Sequence, residues 1–151
     1  KKYSLDDIVK QAIKKYARIF IRKKIKLNYI DLNCSVLTDE KWLVFVVEQL
    51  LSNSLKYTLS GEISIYIDEI LPETLVIEDT GIGIEQEDLP RVFEKGFTGY
   101  NGRLDKKSTG IGLYLCKQIL NKLSHTIEIE SEIGKGTKVK IGLKTMEIDF
   151  E

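Results

Sequence analysis

The chain has 151 residues, a length that fits one domain, and its composition of 42% hydrophobic and 30% charged residues is typical of a globular protein. Its 23 basic and 23 acidic residues cancel, which argues against nucleic acid as a main partner. The two cysteines have neither metal-ligand spacing nor the density of a disulfide scaffold, which favours a reducing cytosol. Because the sequence begins at Lys1 rather than Met, we expect residues 1–151 to be a single domain of a longer protein.

The first half of the chain predicts two amphipathic helices and four strands. Ser4 caps a helix that ends near the basic run at residues 22–24. Two strands, at 25–29 and 34–37, are predicted to pair as a hairpin. A second helix is capped by Thr38 or Asp39 and runs to about Thr58. Strand candidates at 62–68 and 74–78 follow it.

The second half begins with a stretch rich in glycine and charge, residues 79–108. A loop of this length inside a domain is uncommon unless it is functional. A third helix is predicted at 113–123, and strands at 126–130 and 138–144 are predicted to close the chain as a hairpin around the sequence GKG. Paired strands with helices between them predict an α+β fold, in which helices cover one face of a sheet.

The second helix carries a polar stripe. Gln49, Asn53 and Lys56 are spaced by four and three residues and therefore share one side of the helix, with Tyr57 beside them. The opposite side is apolar and should face the core: Leu43, Val47, Leu50 and Leu51. Such a stripe is either the solvent side of a surface helix or a ligand-binding side.

The tetrapeptide TGIG occurs twice, in two different local settings. The first copy, residues 80–83, follows a strand that ends at Asp79, and no third glycine completes a dinucleotide-binding fingerprint. A carboxylate there can accept a hydrogen bond from the amino group of adenine, and Gly81 and Gly83 allow the backbone to approach a flat ring. The second copy, residues 109–112, opens a helix, where exposed amides suit phosphate. The alternatives are a tight turn and a loop that leads into a helix cap.

Taken in order, the motifs NSLKYT, EDTGIG, RVFEKGF, TGIGL and GKGT resemble the catalytic ATP-binding domain of bacterial sensor histidine kinases. This superfamily also includes gyrase, mismatch-repair ATPases and heat-shock chaperone ATPases, and the resemblance extends over residues 4–144. The loop FEKGFTGYNGR is similar to the small Gram-positive kinases that respond to antimicrobial peptides such as bacitracin. The resemblance implies the Bergerat fold, a two-layer α/β sandwich whose mixed, mostly antiparallel sheet is covered on one face by three helices.

The resemblance assigns catalytic roles to the polar stripe of the second helix. It implies that Asn53 coordinates Mg²⁺, that Lys56 contacts phosphate and that Tyr57 lines the nucleotide pocket. Kinases of this type commonly carry asparagine where this chain has Gln49, and gyrase-type ATPases carry a glutamate that activates water. Gln49 cannot take a proton, and Glu48 is rotated by about 100° on the helix. This departure favours transfer of the phosphoryl group to a protein nucleophile over hydrolysis.

The remaining ATP contacts implied by the resemblance lie in the two TGIG motifs, the lid between them and the last hairpin. At the adenine end, Asp79 would hold the amino group, Gly81 and Gly83 would shape the pocket, and Thr137 would lie near the ring. Phe93 and Phe97 correspond to the aromatic residues of a mobile lid, in which Arg103 is either a phosphate contact or a solvated side chain. The phosphates would meet the start of the third helix, at Gly110, Ile111, Gly112 and Leu113.

The single histidine, His125, lacks the acidic residue and proline that follow a phospho-accepting histidine. We therefore expect the acceptor in the dimerisation helices of the parent chain, with a response regulator downstream. The resemblance implies a cytoplasmic domain, itself monomeric, of a homodimeric parent anchored in the bacterial membrane. Two alternatives are a serine kinase of the anti-sigma-factor type and a module that binds ATP without transferring phosphate.

Overall fold

The structure, a computed structural model, describes residues 1–97 and 112–144. In chain order its elements are β1 (Lys2–Ser4), α1 (Leu5–Lys23), β2 (Lys26–Tyr29), β3 (Ser35–Leu37), α2 (Glu40–Tyr57), β4 (Glu62–Ile67), β5 (Thr74–Asp79), a 3-10 helix (Leu89–Arg91), α3 (Gly112–Lys122), β6 (Thr126–Glu132) and β7 (Gly136–Gly142). The helices and the strands from β4 onward lie where the sequence predicts them, within about two residues at each end.

Both long helices begin at the predicted caps. The Ser4 hydroxyl accepts a hydrogen bond from the Asp7 amide at 3.3 Å, and the Asp39 carboxylate accepts one from the Trp42 amide at 3.1 Å. These bonds satisfy amides that have no partner within the helix. At the other end of α1, Lys24 adopts a left-handed conformation with a φ of 57°, and this ends the helix.

The main sheet has five strands in the order β2-β4-β5-β7-β6. Strand β2 is parallel to β4, and the other neighbouring pairs are antiparallel. The predicted mixed, mostly antiparallel sheet is therefore confirmed. Strand β5 is central, so the residue at its end, Asp79, lies between two neighbouring strands.

The predicted hairpin of residues 25–29 and 34–37 is wrong. Strand β2 joins the main sheet beside β4, whereas β3 pairs with β1 in a separate two-stranded sheet, with Tyr3 opposite Val36. The cause is the Asp6 carboxylate in the first turn of α1, which accepts hydrogen bonds from the Leu32 and Asn33 amides, each at 3.0 Å. These bonds hold the connection at the start of α1, where β3 lies beside β1 and not beside β2.

The core lies between the helices and one face of the main sheet. Side chains at alternating strand positions point into it, as the twofold periodicity of a strand requires. The fully or nearly fully buried members from the helices and from the strands are Leu5, Ile8, Leu43, Val47, Leu50, Leu51, Leu120, Ile63, Ile65, Leu75, Ile77 and Ile141. The apolar side predicted for α2 is thus buried, and the predicted α+β sandwich is confirmed.

The other face of the sheet is polar and is held by side-chain pairs. Lys140 bridges Asp68 at 3.2 Å and Glu130 at 3.3 Å, and the Tyr66 hydroxyl donates to Glu78 at 2.6 Å. Val76 is buried on this face between its register partners Tyr66 and Lys140, whose long side chains cover it. Within residues 1–97 and 112–144, no helix combines the length and the apolar character needed to cross a membrane.

Candidate functional site

The polar stripe of α2 meets the start of α3 at Gln49. Gln49, Asn53 and Lys56 are all half-buried, which is more cover than a purely solvated side of a helix receives. The Gln49 side-chain oxygen lies 3.6 Å from the point that a Cβ would occupy on Gly112. Two motifs separated by some 60 residues of sequence therefore meet, because α2 packs against α3. Beside them, the Lys56 ammonium lies 5.9 Å from the centre of the Tyr57 ring.

Asp79, at the end of β5, is a buried carboxylate with only 7% of its surface exposed. Its Oδ1 accepts hydrogen bonds from the Gly81 amide at 2.9 Å and the Thr137 amide at 3.2 Å. Burial raises the pKa of this carboxyl group, and hydrogen bonds from Gly81, Ser54 and Thr137 act in the opposite direction. A carboxylate has about four acceptor positions, so it retains capacity for a ligand donor.

The glycines of the first TGIG are required by protein packing. A Cβ on Gly81 would lie 2.5 Å from the Tyr57 carbonyl oxygen, and one on Gly83 would lie 2.2 Å from the Glu132 carbonyl oxygen. Both distances are too short for any side chain. The turn is therefore fitted between the end of α2 and the β6–β7 hairpin, with Asp79 at its first residue.

Gly136, whose role the sequence analysis did not identify, closes the same corner. Its φ is +125°, and a Cβ there would lie 2.0 Å from the Asp79 carbonyl oxygen. Only glycine allows β7 to run this close to the end of β5. The next residue, Thr137, is thereby placed directly opposite Asp79 in the antiparallel ladder. The glycine immediately before Thr137 was the available signal in the sequence.

Ser131 fixes the loop that follows the first TGIG and was also missed. Its hydroxyl accepts from the Ile84 amide at 2.8 Å and donates to the Gly136 carbonyl oxygen at 2.8 Å. The Ser131 hydroxyl oxygen also lies 2.8 Å from the Thr137 hydroxyl oxygen. The hairpin thus holds both the loop and the residue predicted to lie beside adenine. In the sequence, Ser131 has no feature that distinguishes it from other polar hairpin residues.

Two buried polar side chains of α2 and its cap lie beside Asp79. Ser54 is 4% exposed and Thr58 is fully buried. The Thr58 hydroxyl has no hydrogen-bond partner within the described residues. It lies 2.9 Å from the Cβ position on Gly81, and Asp79 Oδ1 lies 3.0 Å from the same point. Both residues continue the apolar side of α2 at helical spacing, and a polar residue on that side was the signal that sequence reasoning passed over.

The aromatic residues predicted for the lid lie where the described part of the loop ends. Phe93 is half-buried against the core, and the Lys117 ammonium lies 4.8 Å from its ring centre. The Phe97 ring lies 4.7 Å from the Arg91 guanidinium. Leu113, in the first turn of α3, also packs against the core. The predicted contacts Arg103, Gly110 and Ile111 lie outside the described residues.

Two groups that could act as bases are occupied elsewhere. The Glu48 carboxylate lies 3.7 Å from the Lys15 ammonium, so it is directed toward α1 and away from the polar stripe. His125 is 2% exposed, and its Nε2 lies 3.0 Å from the Thr38 hydroxyl. Burial lowers the pKa of this imidazole. The described ranges contain no group of three His, Cys, Asp or Glu residues that could hold a metal ion.

The chain matches known proteins over most of its length. A sequence profile of the histidine kinase-, DNA gyrase B- and HSP90-like ATPases matches residues 38–147. The chain is 38% identical over 148 residues to the sensor histidine kinase YxdK of Bacillus subtilis, covering 94% of this chain and 45% of YxdK. It is 40% identical over 137 residues to the sensor protein BceS of Halalkalibacterium halodurans, covering 90% of this chain and 41% of BceS. It thus spans less than half the length of these relatives.

The fold is also that of a solved kinase domain. The mycobacterial sensor histidine kinase MprB superposes with a TM-score of 0.78 over 95% of each chain, at 22% identity. This likeness establishes the Bergerat architecture that the motifs imply. Since the family profile covers well over half of the sequence, the chain belongs to the family of histidine kinase-, DNA gyrase B- and HSP90-like ATPases.

Proposed function

We propose that this domain binds Mg-ATP in the cleft between α2, the end of β5 and the start of α3, and supplies the γ-phosphate to a histidine. The observation that carries the proposal is the approach of the α2 stripe to the start of α3, seen in the 3.6 Å between Gln49 and the Cβ position of Gly112. Asp79 ends β5 and lies beside the carboxyl end of α2, since its Oδ1 and the Thr58 hydroxyl approach the same Cβ position on Gly81 at 3.0 and 2.9 Å. Groups suited to opposite ends of one nucleotide would then border one cleft.

The adenine ring would lie against the end of β5. Asp79 would accept a hydrogen bond from the amino group of adenine, and a guanine carbonyl oxygen at that place would be repelled. Gly81 and Gly83 would form the backbone wall of this end, and Tyr57 and Thr137 would border the ring. The support is the buried carboxylate, which hydrogen bonds fix in place but do not saturate.

The phosphates would lie between the α2 stripe and the first turn of α3. Amides at the start of a helix favour anions, and Gly112 and Leu113 supply them here; Gly110, Ile111 and Arg103 are proposed as further contacts. Lys56 would add a positive charge. Asn53 would hold Mg²⁺, since an amide oxygen with phosphate oxygens and water suits this ion, and no carboxylate cage is needed. When bound, the ion would neutralise phosphate charge.

We propose phosphoryl transfer rather than hydrolysis as the reaction. Gln49 occupies the position where a base would have to act, and an amide cannot accept a proton from water. Glu48, the neighbouring acid, is held by Lys15. In the transfer, the bond between the γ-phosphorus and the bridging oxygen breaks, a bond from phosphorus to a histidine nitrogen forms, and ADP leaves.

The acceptor histidine would belong to the dimerisation helices of the parent chain, because His125 is buried and engaged with Thr38. Residues 1–151 would form one cytoplasmic domain, monomeric by itself. The parent would be a homodimer anchored in the bacterial membrane that passes phosphate to a response regulator. The sensor-kinase names of the relatives and the share of their length that this chain spans support this assignment. A helical hairpin encoded beside this domain, with histidine followed by Asp or Glu, would separate it from a serine kinase or a non-transferring module.

The magnesium role is tested by calorimetric titration with ATP, with and without Mg²⁺. We expect Asn53→Ala to lower ATP affinity in Mg²⁺ roughly tenfold or more, the scale on which residues of a metal site act, and to abolish the effect of Mg²⁺. Asn121→Ala, at an exposed asparagine of α3, is the matched control and should bind as the wild type does. Equal affinity of the wild type with and without Mg²⁺ would contradict the assignment of Asn53.

A further inference from the structure

Positive charge is concentrated on one helix of this neutral chain. Residues 8–30 contain eight lysines and arginines and no acidic residue, although the whole chain has 23 residues of each sign. They are Lys10, Lys14, Lys15, Arg18, Arg22, Lys23, Lys24 and Lys26. All but the last two belong to α1. This segment therefore differs sharply from the composition of the chain as a whole.

The solvent side of α1 collects most of these cations into one surface. The buried residues of the helix, such as Ile8, Ala12 and Phe20, face the core. At 3.6 residues per turn, the side opposite to them carries Lys10, Lys14, Arg18, Ile21 and Arg22, with Gln11 between them and Asp7 at its amino-terminal end. The four cations and Ile21 are all exposed. We call Lys10, Lys14, Arg18, Ile21 and Arg22 the basic face of α1.

Among the described residues, few acidic groups lie near the basic face, and those on α1 are confined to its amino-terminal end, where Asp7 is exposed and Asp6 interacts with Lys10. Glu48, on the α2 side, lies 3.7 Å from Lys15, which is outside the face. Asp6, in the first turn, is bound by the connection between β2 and β3. The acidic register partner of β2, Glu62, lies opposite Lys26 in the sheet. The other cation of α1 that is not on the face, Lys23, donates to the Leu55 carbonyl oxygen.

An apolar side chain lies in the middle of the basic face. Ile21 is 77% exposed and shares its stripe with Lys14 and Arg18. In water or against a layer of phosphates it gains nothing, whereas the boundary between lipid headgroups and acyl chains accommodates both cations and an aliphatic side chain. Nucleic acid fits less well, because none of the five residues is aromatic and the ring beside Lys10, that of Tyr29, is hydrogen-bonded through its hydroxyl to Asp6.

We propose that the basic face of α1 binds the surface of a bilayer that contains anionic lipids. The helix would lie along the surface, with its cations near the lipid phosphates and Ile21 inserted at the acyl boundary. This orients the whole domain, because α1 packs on α2 through the core. The inference rests on charge and exposure alone and is independent of nucleotide binding, so either proposal can fail without the other.

The charge requirement is tested by co-sedimentation of the 151-residue chain with vesicles. One set is phosphatidylcholine, and the other is an equal mixture of phosphatidylcholine and phosphatidylglycerol. We expect binding to the mixed vesicles only, decreasing with added salt. Because each Lys or Arg near an anionic surface contributes about fivefold, the double variant Lys14→Gln, Arg18→Gln should bind about 25-fold more weakly. The matched control is the double variant Lys41→Gln, Lys122→Gln, in which both substituted lysines are exposed and lie outside α1.

The apolar requirement is tested by two matched variants. Ile21→Ser should lower binding to the mixed vesicles roughly tenfold, whereas Ile70→Ser, at an isoleucine that is 90% exposed elsewhere, should leave it unchanged. Equal binding of the wild-type chain to both vesicle types, or equal losses of binding in the two double variants, would overturn the proposal. The proposal would also fail if the Ile21→Ser variant bound the mixed vesicles as tightly as the wild type does and polyglutamate released the bound protein completely. That result would indicate an acidic protein surface as the partner.

Discussion

At the scale of single residues, the site is shaped by polar groups that the fold buries beside Asp79. The Thr58 hydroxyl is fully buried and lacks a partner among the described residues, and an unpaired buried hydroxyl lowers stability. Ser54 and the amides of Gly81 and Thr137 hold the carboxylate. A role for Asp79 was predicted from its place at the end of a strand. Its polar neighbours were not, because a serine or threonine on the apolar side of a helix, although a signal, also occurs in ordinary cores.

The cost of this burial can be measured with Thr58→Val, which replaces the hydroxyl with a methyl group of similar size. We expect the free energy of unfolding of the nucleotide-free chain to rise by about 1 kcal/mol, since an unpaired polar atom is removed. The control is Thr38→Val, which removes the hydroxyl that lies 3.0 Å from His125 Nε2. This variant should lower the free energy of unfolding by about 1–3 kcal/mol. Urea unfolding of both variants checks this, and a loss in Thr58→Val as large as in Thr38→Val would contradict it.

At the scale of elements, local periodicity predicted each helix and strand from α1 onward but not every pairing. The prediction of a hairpin between β2 and β3 was wrong. The connection between these strands is hydrogen-bonded to Asp6, which lies 20 or more residues away in the sequence. The short strand β1 was missed because three residues before a helix cap show no strand periodicity. Pairings that depend on one distant side chain leave no trace in local patterning, whereas the β6–β7 hairpin, which a short turn sets, was predictable.

The role of Asp6 is tested by comparing Asp6→Asn with Asp7→Asn. Both variants remove a negative charge from the first turn of α1, so the effect of the helix dipole is matched. Only the first weakens hydrogen bonds to Tyr29, Leu32 and Asn33. We expect Asp6→Asn to lower the free energy of unfolding by about 1–2 kcal/mol more than its control, after allowance for partial exposure.

The difference in the free energy of unfolding between Asp6→Asn and Asp7→Asn should decrease in acid. Burial acts to raise the pKa of Asp6, but the hydrogen bonds from Tyr29, Leu32 and Asn33 hold it below its usual value. A carboxylate with a lowered pKa contributes stability above the pKa of the unfolded chain, about 3.9, and loses it as the pH falls further. Unfolding of both variants at neutral pH and below pH 4 checks this. A gap between them that persists in acid would contradict it.

At the scale of the whole molecule, the fold brings distant motifs together in two places. The packing of α2 on α3 places Gln49 beside Gly112, and the β5–β7 register places Asp79 opposite Thr137. The order of the motifs along the chain was sufficient to predict the two-layer sandwich. It was not sufficient to predict why the glycines are needed: Gly81, Gly83 and Gly136 fit backbone against backbone, a requirement that only the assembled layers reveal.

The most direct test of the account is a calorimetric comparison of ATP and GTP binding in Mg²⁺, by the wild-type chain and by Asp79→Asn. If the buried carboxylate accepts a hydrogen bond from the amino group of adenine, the wild type binds ATP and not GTP. The Asp79→Asn variant then loses affinity for ATP without acquiring affinity for GTP. Urea unfolding of the variant verifies that the fold persists. Strong GTP binding by the wild-type chain, or ATP binding that Asp79→Asn leaves intact, would contradict the assignment of this corner as the adenine pocket.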